Sequence, residues 1–147
     1  MPTLADILLA DHQREAVVSD CVSVIERHLN GLRSLRGIAL KTALAMFKKA
    51  MPDALTRVVR KLLPDFAVAL EPLHERFRQS SDRDFSLFLR KHGEETVDAL
   101  IGVIDQRAGT SPNEAVKATY RKLRGNVRGE LEAVLPELAK TISGYLG

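Results

Sequence analysis

The sequence predicts an all-α fold. Apolar residues recur at three- and four-residue steps nearly everywhere, strand-like alternation is scarce, and Pro and Gly fall where helices should end. With 147 residues, 45% hydrophobic and 28% charged, the chain can bury a sizeable core, and its composition excludes disorder. The expectation is a single helical domain over residues 1–147, a bundle of about seven to nine helices.

The elements follow in order. Thr3 with Asp6 resembles a capping pair and begins a short helix through Leu9. A second helix covers about residues 11–29, and Asn30-Gly31 reads as its stop. Ser34 can cap a third helix to about Met51; its Ala, Leu and Met content places it at the centre of the core. Pro52 and Asp53 open a fourth. Pro64 and Pro72 each mark a kink or a fresh start, because proline lacks a donor and clashes with the preceding turn. Ser81 with Asp84 can cap the next helix, and Gly93 divides it from a longer one through about Arg107. In Ser111-Pro112-Asn113-Glu114, Ser caps, Pro takes the first helical position and Glu reaches back. Gly125 and Pro136 are breaks or kinks in what remains.

The two halves resemble each other. Leu9, His12 and Glu15 match Leu89, His92 and Glu95; Val18, Val24 and Ile25 match Val97, Val103 and Ile104, with Glu26 facing Asp105. Ala39-Leu40-Lys41 matches Ala115-Val116-Lys117, and Leu63-Pro64-Asp65-Phe66-Ala67 matches Leu135-Pro136-Glu137-Leu138-Ala139. Loops tolerate deletion and packed faces do not, so ordered matches with gaps at helix junctions point to a duplicated unit. The expected units are residues 4–70 and 84–142, joined by a connector at about 71–83 and related by a pseudo-twofold axis.

Chemistry-bearing motifs are few. His12 with Glu15 and His92 with Glu95 share three-residue spacing, but the apolar face of the second helix centres on Val17, Cys21, Val24 and Ile25, which turns His12 toward solvent. No metal and no cofactor are expected. His28 falls near the end of that helix, where it can satisfy terminal carbonyls. His74, next to Glu75, has no recognisable spacing. The single Cys21 excludes an intramolecular disulfide and reads as a small buried hydrophobe. No phosphate loop, nucleophile elbow or zincin motif is present, so the reading leans away from an enzyme. No run of about 18 apolar residues occurs, so no membrane span is expected. The N-terminus lacks the features of a secretory leader, so secretion has no support, and one free Cys fits a reducing cytoplasm, the expected location.

The charge pattern says more. Net charge is +3 and the pI about 9.2. Lys117, Arg121, Arg124 and Arg128 follow spacings of four, three and four, a positive stripe if the helix continues through Gly125, while Val116, Tyr120 and Leu123 take another face. Lys41 and Lys48 hold the positions matching Lys117 and Arg124. Arg57, Arg60 and Lys61 follow, and between positions 33 and 61 the only acidic residue is Asp53. Such a surface would attract phosphate, anionic lipid or an acidic protein. With aromatics at 5% and no Trp, few rings are available for base stacking. The apolar run at residues 62–70 is ordinary core, a dimer interface or the lining of a cavity.

Leu35-Arg36-Gly37-Ile38-Ala39-Leu40-Lys41, then Leu63-Pro64-Asp65-Phe66 with Ala69-Leu70-Glu71-Pro72, resembles a family of small uncharacterised bacterial proteins over most of the chain. The resemblance implies a soluble, helical, bacterial protein and contributes nothing on mechanism. The leading functional expectation is a non-catalytic interaction or scaffold module that binds a protein partner or associates with itself as a homodimer. The second is a binder of nucleic acid or an anionic membrane surface through Lys117, Arg121, Arg124, Arg128, Lys41 and Lys48. The third is an apolar-ligand carrier, or an enzyme, with a helical pocket.

Overall fold

The computed structural model describes residues 2–31, 38, 39, 41, 42, 45, 46, 49 and 53–146. All regular structure among them is helical. Ser34, Lys48, Met51, Pro52, the Leu35-Arg36-Gly37 and Leu40 positions of the resemblance, and the side chains of Val116 and Leu123 lie outside the described residues.

Helix α1 spans Leu4–Leu8. The Thr3 hydroxyl accepts from the Asp6 amide and the Asp6 carboxylate accepts from the Thr3 amide, both at 3.0 Å, as the capping pair predicts. Five residues are too few to hold a helix in water. Burial of Leu4 and Leu8 on one face supplies the rest, and Glu71 accepts from the Leu4 amide at 2.6 Å. Helix α2, Arg14–Asn30, starts after a turn at residues 11–13 and buries Val17, Val18, Cys21 and Val24. Gly31 ends it with φ of −84°, so no left-handed residue is needed there.

The described residues between 38 and 49 are helical, but Ile38, Ala39, Thr42, Ala45, Met46 and Lys49 are exposed, with Met46 at 69%. The expectation that this helix is central to the core is therefore corrected for these positions. Small residues permit close packing without requiring it.

Helix α3, Ala54–Gln79, runs unbroken through Pro64 and Pro72. Each proline inside a helix costs about 3 kcal/mol. The buried stripe of Val59, Leu63, Ala67, Leu70 and Leu73 offsets that cost, so neither proline begins a new helix. Residues 71–79, expected as connector, are the last turns of α3, and the link to the next helix is residues 80–84. Helix α4, Phe85–Lys91, is capped by Asp84, not Ser81: its Oδ1 accepts from the amides of Ser86 at 2.9 Å and Leu87 at 3.4 Å. His92 alone separates it from α5, Gly93–Gly109, so the break falls where Gly93 predicts it. Helix α6, Glu114–Gly144, passes through Gly125 and Pro136. Ser111 and Pro112 precede it; Asn113 Oδ1 accepts from the Ala115 amide at 2.9 Å, so Asn113 does the capping expected of Ser111.

Helices α2, α3, α5 and α6 surround the core. Helix α3 packs on α1, α2 and α5, and α6 packs on α2, α4 and α5. At one end, Phe77, Phe85 and Phe88 form an aromatic cluster with centroid distances of 5.1 and 5.7 Å for its closer pairs. His74 joins it, only 4% exposed and stacked on Phe77.

Candidate ligand cavity

The four long helices do not close completely on one another. Their inner faces enclose a cavity of about 270 Å³ lined by Val59, Leu63, Ala67, Leu100, Val134 and Leu135, among others. Leu8, Leu70, Leu89 and Ala139, also in the lining, are fully buried. Leu29, Leu55, Val58 and Val127 also line it, and Val58 is 45% exposed.

An apolar void is costly. Apolar side chains that line unfilled space forfeit packing contacts, and the cost grows with the volume left empty. The space suits a molecule of about nine non-hydrogen atoms at about 30 Å³ each.

The polar side chains among the described lining residues are Cys21, His28, Thr96 and Glu130. Cys21 is buried, and desolvation raises its thiol pKa to about 11, so it is a thiol and not a nucleophile at neutral pH. The Thr96 hydroxyl is committed to its own helix turn, donating toward the His92 carbonyl at 2.8 Å. His28 and Glu130 face each other across α2 and α6, with Nε2 and Oε2 2.5 Å apart. Their side chains are 20% and 25% exposed, so they touch both the cavity and water. His28 was expected to satisfy carbonyls of its own helix; it bridges to α6 instead. Glu130 was not singled out from the sequence. The available signal was a carboxylate set among Val127, Leu131 and Val134 on an apolar face.

The predicted basic stripe lies on continuous helix, α6, and much of it is matched by acids from α5. Arg124 makes a two-pronged pair with Asp105, both contacts at 2.8 Å, and Tyr120 donates to the same carboxylate at 2.6 Å. The Arg124 and Tyr120 contacts hold the Asp105 pKa down to about 2, while burial and Asp105 push Tyr120 up to about 12. Arg128 meets Asp98 at 2.7 Å and Glu132 at 3.5 Å. Lys117 lies 3.7 Å from Glu114, and Arg121 is exposed, its Nε 3.5 Å from the Lys117 carbonyl. In the other half Lys41 donates to the Asn30 carbonyl at 3.2 Å.

The two His–Glu pairs do not come together. His12 is exposed in the turn before α2, and Glu15 binds Arg60 at 2.7 Å. Glu95 binds Arg76 at 2.5 Å, and His92 packs on Phe88. Among the described residues no group of three or more His, Cys, Asp or Glu could hold a metal ion. No helix of the described residues is long and apolar enough to cross a membrane.

No curated protein and no solved structure matches the chain. One family model does, covering residues 4–146. The chain therefore belongs to the family of unknown function DUF6918.

Proposed function

We propose that the protein is a non-catalytic binder of a small apolar molecule, held in the cavity between α2, α3, α5 and α6. The observation that carries this reading is an apolar space of about 270 Å³ at the centre of a domain this small. An occupant would recover contacts that an empty cavity forfeits. The enzyme form of the reading is weaker, because the described lining residues offer one polar pair and no nucleophile activated by a base. The anionic-partner reading has less support than the charge pattern suggested, since Arg124 and Arg128 are already engaged by Asp105 and Asp98. A scaffold role is compatible with a binder whose ligand stabilises one surface shape.

The fold reading that accompanies this is two similar halves. Helices α2 and α5 are both 17 residues long, and each follows a short helix. Helix α1 packs on α3 as α4 does on α6, and α2 packs on α6 as α5 does on α3. Arg107 reaches Asp65 at 2.6 Å and Arg27 reaches Glu137 at 3.7 Å. Asp65 and Glu137 are the acids that follow the matched prolines. In this reading the cavity lies between the copies, and Leu63, Ala67 and their counterparts Leu135 and Ala139 all line it.

Thermal unfolding in a series of n-alkanols tests the function. A ligand that binds only the folded state raises Tm by mass action. A rise that grows with chain length and stops near n-octanol supports the cavity; no rise with any alkanol overturns it.

A further inference from the structure

We infer that the cavity selects chains ending in a hydrogen-bond donor, an alcohol or an amine, and rejects chains ending in a carboxylate, because the His28–Glu130 pair receives the ligand's head. This rests on the cavity reading and adds the chemistry of the ligand.

A molecule with a single polar end must put that end on a polar lining group or in water. Of the four polar side chains among the described lining residues, Cys21 is a buried neutral thiol and Thr96 is bonded to its own helix. His28 and Glu130 remain, and they are partly exposed, while Leu70, Leu89 and Ala139 in the same lining are fully buried. The tail then points toward Leu70, Leu89 and Ala139 and the head lies beside the pair. A carboxylate has about four acceptor sites, so Glu130 can accept from a ligand hydroxyl or ammonium while keeping His28. A ligand carboxylate beside the Glu130 carboxylate would meet a like charge, which is disfavoured.

Calorimetric titration of the full chain at pH 7 with n-octanol, octanoate and toluene tests this. The expected result is that n-octanol binds about tenfold or more tighter than octanoate, with toluene, a headless apolar probe, also binding. In Glu130→Gln the preference for n-octanol over octanoate should shrink at least threefold while toluene binding stays the same. His28→Gln serves as the second variant, with unfolding curves checked for both. Equal binding of n-octanol and octanoate by the natural chain overturns the inference, as does a preference unchanged in Glu130→Gln. Binding of toluene in either case leaves the cavity reading intact. Failure of all three probes to bind overturns the cavity reading itself.

Discussion

Filling the cavity from the protein side should stabilise the fold. Ala67 is buried on α3 and lines the cavity, so Ala67→Leu adds three carbons to the space. At about 0.8 kcal/mol per buried carbon the gain is about 2.4 kcal/mol. Ordering the new side chain removes about 0.5–1 kcal/mol, which leaves roughly 1–2 kcal/mol. At about 3 °C per kcal/mol for a domain of this size, Tm should rise by about 3–6 °C. Urea unfolding at equilibrium gives the free energy, and the slope should not change, because the surface exposed on unfolding is nearly the same. Ala67→Leu should also weaken toluene binding by occupying its place. The sign decides the matter. In a core already filled, the same change overpacks and destabilises by about 1–3 kcal/mol, and that result would refute the reasoning.

Other consequences can be checked in the same way. The Asp105 carboxylate, with its pKa near 2 in the folded state, contributes stability above its unfolded pKa and loses it as pH falls from about 4 toward 2. Because the pair is partly open to water, Asp105→Asn should flatten that acid limb by only about 1 kcal/mol, measured by urea midpoints across the window. His74 has its pKa lowered, chiefly by burial, and its Nδ1 has no hydrogen-bond partner, so the fold disfavours its charged form. Stability from this group is present above the unfolded His value and is lost as pH falls below about 6.5. His74→Phe should remove that loss and pack on Phe77 and Phe85; a variant as pH-sensitive as the natural chain would count against it. Thr3→Ala should cost about 1 kcal/mol through the lost cap, read from the same unfolding curves. Cys21, with its thiol near 11 and buried, should react with a disulfide reagent at pH 8 only at the rate of opening, and full labelling within seconds would contradict its placement.

Much of the fold was legible in local chemistry. The Thr3–Asp6 box, the Gly31 stop and the break at Gly93 depend on neighbours in sequence, and all three occur. The prolines were ambiguous because their cost is local while the burial that offsets it is not. Pro64 has Leu63 and Ala67 buried beside it, and only tertiary packing supplies that energy. The cap of α6 shifted from Ser111 to Asn113 for a similar reason, since both residue types can cap and spacing alone does not choose. The acids that meet Arg124 and Arg128 come from another helix, so a charge count along α6 could not pair them. The cavity was legible only as an apolar run at 62–70, because empty space is a property of how four helices meet. His28 was visible on its helix face, but its partner Glu130 lies 102 positions away.

Methyl NMR of the full chain during titration with n-octanol locates the bound molecule residue by residue. Binding in the cavity shifts the methyls of Val59, Leu63, Leu100 and Leu135, which line it, and leaves the exposed methyls of Val68 and Leu87 unmoved. Shifts confined to Val68, Leu87 and other surface methyls, or no shifts at all, would contradict it.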